Sequence, residues 1–406
     1  MSVAREKIVD LEEALKTVEA LASRLALPVR TDSLPLLSAR GYVLSHTIAA
    51  DRDQPPFDRS TRDGFAVRSA DWNGGHDLRV TGIVRAGAVW TGGALLHGQA
   101  VEIMTGAEVP EGADSVGMVE HVVQAGESIR AAPGRSLHVG DNVVKQGSEA
   151  QAGASVLEAG TMVGGAEIAL AAACGRARVD VYCKPRVAIM STGDELVELE
   201  KVPAAQQIRD SNSYALAALV EAAGGEAVRV PMVPDERDAL AARLKTARNC
   251  DLIVLTGGVS MGKYDLVEEV LEEAGAEFFF TGVKMQPGKP VVFGRLREDG
   301  RYFFGLPGNP ISAQVTFHCF VEPFLRALAG AGVTGPRWAQ ATLTEDVSGK
   351  AGLTRLLPCR MDGTLARLVG WQGSGDLAAN ARANCYAEFR PGVEYRVGEV
   401  IRVLLR

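Results

Sequence analysis

The sequence predicts a multidomain protein of the α/β plus β class, with a central doubly wound α/β domain flanked by β-domains. Three observations point there. The chain has 406 residues, more than the roughly 250–300 at which a single core stops growing. Between about residues 185 and 330, strand-like and helix-like segments alternate. Gly-rich stretches of short strands occupy residues 51–141 and residues 338–406.

The elements follow in order. Residues 10–25 place Leu11, Ala14, Leu15, Val18, Leu21, Ala22 and Leu25 at the spacing of an amphipathic helix. Residues 51–141 lack helical periodicity and carry strands at 78–85 and 115–123, a small β-domain. Residues 164–174 return to helical character, so the β-segment reads as an insertion that leaves the first domain discontinuous. Then come strand RVAIMS, helix SYALAALVEAAGG, strand AVRVPMV, helix ERDALAARLKTA, strand DLIVLTGG and helix LVEEVLEEAG. Strand EFFFTGVKM, strands VVFGRL and YFFGLPG, and a long helix from Asn309 complete the alternation. Such alternation implies a mostly parallel sheet. The expected division is 1–50 with 142–180, then 51–141, 181–332 and 333–406.

Composition narrows the function. Hydrophobic residues make up 47% and charged residues 23%, as in a soluble globular protein. A net charge of -7 argues against non-specific nucleic-acid binding but leaves room for a local basic pocket around an anionic ligand. The six cysteines are scattered without a C-x-x-C pair, which favours reduced thiols over zinc or disulfides. The start, MSVAREKIVDLEEAL, has no apolar leader core, and the apolar run 168–174 is far short of the roughly 20 residues that span a bilayer. A cytoplasmic protein without membrane contact is expected.

Four loops could carry chemistry. In DLIVLTGGVSMGKYD a buried strand runs into Gly257-Gly258, then Ser260 and Gly262, with Asp265 before the next helix. Glycines at a strand end let backbone N–H groups approach an anion, and a helix N-terminus adds favourable charge. A plain turn capped by Asp265 is the alternative. AIMSTGDE offers Ser191, Thr192 and Gly193 for phosphate or pterin contacts, beside Asp194 and Glu195; Asp194 could equally cap. In GLPGNPISA, Pro307 and Pro310 fix the loop and Asn309 is placed as N-cap. QPGKP presents Lys289, which could instead be a solvated lysine. Converging on one rim, these loops suit a phosphorylated ligand. No G-x-S-x-G, H-E-x-x-H or Walker motif is present, and the six histidines are isolated, which disfavours a Ser-His or Cys-His nucleophile.

Taken in order, the motifs resemble the molybdopterin molybdenumtransferase family, a pattern the gephyrin E domain shares. PPFDRSTRDGFAV at 55–67 and IMTGAEVPEGADSVGMVE at 103–120 resemble its first two signatures. STGDEL, IRDSN at 208–212, TGGVSMGKYD, PGKP, GLPGNPISA and GSGDL at 373–377 follow in the family's order. The resemblance implies insertion of molybdate into adenylylated molybdopterin with release of AMP, assisted by Mg2+. It implies four domains, the first elongated and discontinuous, and a homodimer whose clefts draw on both chains. It allows the molybdopterin adenylyltransferase as a partner.

By motif, Asp63, Glu221 and Asp265 match acids implied in catalysis and metal binding, and Thr105 matches the threonine of I-M-T-G-A. The molybdate pocket maps onto Ser260, Lys289, Pro290 and Ser374, with Arg355 the candidate for an arginine of the last domain. The chain departs from the pattern at Arg62, at Ser148 in place of an acid, and at Gln286 in place of a lysine. It departs again around Leu353, where GLTRLLP replaces G-R-x-E-[FY]-x-R. An adenylyltransferase would lack the extra β-domains and the Asp63 segment; a non-catalytic scaffold is the other alternative.

Overall fold

A computed structural model of the chain describes residues 7–258, 266–332 and 335–406. Ser260, Gly262 and Asp265, singled out above, lie outside the described residues. Two compact units are present. One comprises the described parts of Met1–Ser45, Gly160–Gly164 and Val179–Arg406; the other comprises His46–Ala159 and Gly165–Arg178.

The first unit is organised by a six-stranded sheet. Its elements are β1 (Arg186–Ser191), α1 (Asn212–Ala222), β2 (Glu226–Arg229), α2 (Arg237–Ala247) and β3 (Leu252–Thr256). They continue as α3 (Leu266–Glu273), β4 (Ala276–Phe280), β5 (Val292–Leu296), β6 (Tyr302–Leu306) and α4 (Pro310–Thr316). The strand order is β2-β1-β3-β6-β5-β4. The first four strands are parallel, and β5 and β4 are antiparallel. Successive side chains leave a strand on opposite faces, and the core divides accordingly. Val187, Ile189, Leu252 and Val254 join one cluster with α1, α4 and the helix Leu11–Ala22. Ala188, Met190, Ile253 and Leu255 join the other with α2 and α3. Both faces are covered, which is why these strands read as unbroken apolar runs.

The run EFFFTGVKM, expected as one strand, is three. β4 pairs with β5 through a register shift at Phe278/Phe280, Gly282–Val283 pairs with Ile8–Val9, and Met285–Gln286 pairs with Thr354–Asp362. An apolar run reports burial, not the partner, and the irregularity at Phe278 turns the chain away from the first sheet. The long helix from Pro310 continues through a π-helical turn, Phe317–Val321, into Glu322–Leu328. There the buried His318 bonds Glu322 at 2.7 Å, and Arg337 pairs with the same carboxylate at 3.0 Å. The C-terminal strands Trp338–Leu343, Thr354–Asp362, Leu365–Leu368, Cys385–Phe389 and Val400–Leu405 close into a ring, because Thr354–Asp362 pairs with both Leu365–Leu368 and Cys385–Phe389.

The second unit carries a six-stranded sheet in the order Ser115–Met118, Gly64–Val67, Gln99–Ile103, Leu78–Val84, Ser128–Ala131, Val122–Ala125. It lies wholly within the expected insertion. The strand expected at 115–123 is interrupted by a 3-10 turn at Val119–His121. Gly64–Val67 is buried along its whole length, since Phe65 and Val67 face one cluster and Ala66 faces another. Among the described residues no helix is long and apolar enough to cross a membrane. All six cysteines are free.

Candidate active site

The order β2-β1-β3 makes the chain reverse direction across the sheet after β2. A crevice opens at such a switch point, beyond the carboxyl ends of the strands. A cavity of about 770 Å³ lies there. Ser191, Thr192 and Gly193 line it from β1, Thr256, Gly257 and Gly258 from β3, and Pro307, Gly308, Asn309 and Pro310 from the β6–α4 loop.

The strand ends are tied together. Thr192 N donates to the Thr256 carbonyl at 3.1 Å. The Asn212 amide donates to Thr256 Oγ1 at 3.0 Å and to the Gly308 carbonyl at 2.7 Å. Thr256 Oγ1 donates to the Pro307 carbonyl at 3.2 Å. Gly257 has φ +88°, and a Cβ there would meet the Thr192 carbonyl oxygen at 2.2 Å. Glycine is therefore required, and it leaves the loop backbone uncovered. Ser191 is buried, and its hydroxyl has no hydrogen-bond partner among the described residues. An orphaned buried hydroxyl lining a cavity fits a ligand contact.

The acids at this rim have distinct roles. Asp194 accepts from Asp235 N at 3.1 Å, and the Thr192 hydroxyl donates to the Asp235 carboxylate. Asp210 accepts from Ser213 N at 3.0 Å, at the start of α1. Glu195, Asp210 and Asp235 line the cavity, whereas Asp194 is not among the lining residues. Glu221 is not among them either, and it accepts from Ala227 N at 2.9 Å near the end of α1.

Pro290 and Gly375 also line the cavity, beside Lys289 and Ser374 in sequence. The Ser374 carbonyl accepts from Ile311 N at 2.9 Å, which holds the 373–377 loop to the first turn of α4. Lys289 is exposed. Met285–Gln286 runs parallel to Thr354–Asp362 with Gln286 opposite Arg355, and Lys289 follows three residues later in the turn closed by the Val283 N bond to the Lys289 carbonyl. The Arg355 guanidinium donates to the Ser348 carbonyl and lies 5.6 Å from the Phe389 ring centroid. Lys350 Nζ donates to Gln286 Oε1 at 3.2 Å.

In the other unit, Gly64 pairs with Ile103, which brings Asp63 to Thr105. Asp63 Oδ1 accepts from Thr105 N at 2.6 Å and Thr105 Oγ1 at 2.8 Å. The backbone bond, then the hydroxyl bond, hold the Asp63 carboxyl below its ordinary range, so it is ionised near neutral pH. A Cβ at Gly64 would meet the Gly117 carbonyl at 2.0 Å, so the residue after Asp63 must be glycine.

Comparison with known proteins adds to this geometry. The family model MoeA N-terminal region (domain I and II) matches residues 9–175. The probable molybdopterin binding domain matches 188–327, and the MoeA C-terminal region (domain IV) matches 340–405. A molybdopterin molybdenumtransferase of Staphylococcus epidermidis is 32% identical over 421 residues, covering 100% of this chain and 97% of that protein. The chain belongs to the molybdopterin molybdenumtransferase family. A molybdopterin molybdenumtransferase of Nostoc sp. is 39% identical over 307 residues, 74% of this chain and 70% of its own length. The crystal structure of the molybdopterin biosynthesis moeA protein from Pyrococcus horikoshii OT3 superposes with TM-score 0.77 at 29% identity, covering 98% of this chain and 100% of that one. As a molybdopterin molybdenumtransferase family member, the chain is a transferase of molybdenum cofactor biosynthesis.

Asp235 and Asn212 are among the cavity residues to which the sequence assigned no role. Asp235 belongs to no quoted motif; its only signal is an acid between Pro234 and the first turn of α2, at a strand's carboxyl end. Asn212 stood within the quoted IRDSN run without an assigned role, although it opens α1 and bonds two strand ends.

Proposed function

We propose that this chain inserts molybdate into adenylylated molybdopterin and releases AMP. The observation that carries the reading is the switch-point cavity, about 770 Å³ in volume, with its orphaned Ser191 hydroxyl, uncovered Gly257-Gly258 turn and adjoining cationic Lys289 turn. The size suits a pterin bearing phosphates. Ser191, Thr192 and the glycine turn would hold phosphate oxygens, and Lys289 and Arg355 would attract the oxyanion, with Ser374 and Pro290 shaping the pocket. Ser260 and Gly262 extend the same loop by sequence.

Magnesium is part of this proposal. Among the described residues no three acids or histidines converge closely enough to hold a metal by themselves. Magnesium is usually held by one or two carboxylates plus the ligand's own phosphates. Asp63, Glu221 and Asp265 were the acids assigned by resemblance. Glu221 accepts from Ala227 N through one of its two carboxylate oxygens. Glu195 and Asp235, which line the cavity, add two carboxylates to that set. A bound ion would neutralise charge on the phosphate oxygens as the anhydride breaks.

A cytoplasmic homodimer supplied by the adenylyltransferase completes the reading, on the resemblance alone. The test is direct: incubate the protein with adenylylated molybdopterin, molybdate and magnesium, and follow AMP. Release that requires both molybdate and magnesium supports the function. A folded protein that binds the adenylylated pterin and releases no AMP refutes it and favours a scaffold.

A further inference from the structure

Among the described residues no carboxylate pairs with Lys289, Lys350 or Arg355; Lys350 bonds the Gln286 amide and Arg355 the Ser348 carbonyl. Several arginines elsewhere are paired, Arg402 with Glu12 and Glu388, Arg396 with Asp346 and Glu394, Arg237 with Glu269 and Glu273. Lys289, Lys350 and Arg355 come from two segments, 286–289 and 350–355, joined by the pairing of Met285–Gln286 with Thr354–Arg355 and by the bond from Lys350 to Gln286. Gln286 is opposite Arg355 across the parallel pairing, and Lys289 is three residues further along the same turn. Arg355 donates to the Ser348 carbonyl, two residues before Lys350. Gln286 itself is neutral, and its carbonyl oxygen receives Lys350 Nζ at 3.2 Å. That bond orients the amide, because the oxygen must face the ammonium. The amide N–H pair is left to point elsewhere, as a donor that a tetrahedral oxyanion can use.

We propose that Lys350 supplies the positive charge that position 286 lacks, so that Lys289, Arg355 and Lys350 together bind the oxyanion, with Gln286 positioning Lys350. The proposal rests on the reading of the Lys289 turn as the molybdate site. Clustered cations with no acid to neutralise them repel one another, and a bound dianion removes that repulsion. Electrostatics at this surface are screened by salt, so the contribution of Lys350 must fall as ionic strength rises.

The test is titration of the full chain with molybdate alone by calorimetry, at low and high salt. The variants are Lys350→Ala, Gln286→Lys, Gln286→Lys with Lys350→Ala, and Lys289→Ala, each checked by its thermal unfolding midpoint. Loss of one charge-assisted hydrogen bond predicts roughly tenfold weaker binding for Lys350→Ala at low salt and a smaller loss at high salt. The double variant should recover to within about threefold of the parent, because a lysine at 286 restores the charge. If Lys289→Ala weakens binding and Lys350→Ala does not, the site stands and the role of Lys350 is overturned. If the double variant stays as weak as Lys350→Ala, charge at this spot is not what Lys350 contributes, and the proposal falls. If Lys289→Ala also binds as the parent does, the oxyanion is elsewhere and the reading of the site falls with it.

Discussion

Replacing Gly257 with alanine measures how closely β1 and β3 approach at the cavity floor. The residue has φ +88°, and an L-residue in that region costs about 1–2 kcal/mol through its Cβ and carbonyl alone. The new Cβ would also stand 2.2 Å from the Thr192 carbonyl oxygen. That oxygen is backbone, in a residue fixed by the 3.1 Å bond from Thr192 N to Thr256. Relief requires the strand ends to part, an overpacking cost of about 1–3 kcal/mol. The two effects together predict a loss of about 2–5 kcal/mol. Gly275 supplies the control: its φ is +79°, yet a Cβ there meets nothing within 4 Å. Gly275→Ala should therefore lose only the backbone contribution, about 1–2 kcal/mol. Urea unfolding followed by fluorescence compares the midpoints of the parent and both variants. If Gly257→Ala is no less stable than Gly275→Ala, the close approach does not constrain the loop and the argument for an obligatory glycine is wrong.

Other consequences can be checked alongside. Lys289→Ala should weaken molybdate binding by about 1–3 kcal/mol, the range for losing a charged hydrogen bond, with unchanged affinity as the contrary result. Asp265→Asn keeps size and much capping ability but loses charge; AMP release should lose its magnesium dependence or cease, and full release with an unchanged requirement would remove Asp265 from the metal site. Subunit exchange between Asp63→Ala and Asp265→Ala proteins should restore part of the activity if each cleft draws on two chains, and exchange without recovery would speak against such a dimer. Glu322 gives a pH prediction. Burial pushes its carboxyl up, but the His318 hydrogen bond and the charges of His318, Arg337 and Arg326 outweigh this and hold it below the ordinary 4.5. A depressed folded value contributes stability above the unfolded pKa and loses it as pH falls through the folded one. Stability should therefore drop on acidification from about 4.5 downward. Glu322→Gln should flatten that drop in urea midpoints taken across the acid range, and an equally steep fall in the variant would contradict the assignment.

Much of the α/β region was legible because both of its faces are buried. Apolar runs such as RVAIMS and DLIVL mark strands of this kind, and the glycine or proline after each marks its carboxyl end. The lining residues Ser191, Thr192, Gly257, Pro307 and Pro310 could be named for the same reason. Pairing partners could not. The three strands of 276–286 serve three different sheets, and hydrophobicity does not encode which one. Gly64–Val67 gives no alternation to read, because clusters press on both of its faces. Asp235 was hidden because its importance comes from the Thr192 hydroxyl, which only the fold brings near. The bond between Lys350 and Gln286 spans 64 positions and leaves no local trace.

The short strand Met285–Gln286 has a meaning for ancestry. By position it belongs to the α/β segment, yet its hydrogen bonds are made with Thr354–Asp362 of the C-terminal ring. A recombination event that joined the α/β segment of one lineage to the C-terminal segment of another would keep these main-chain bonds but bring together side chains at the seam that had not been selected together. The two segments should then be inherited as a block, with residues 284–290 and 348–355 changing together across lineages while strands of the ring away from this seam, such as Val400–Leu405, drift. A chimaera that exchanges only the C-terminal segment should fold yet lose its grip on the oxyanion, and carrying residues 284–290 along with the graft should restore it.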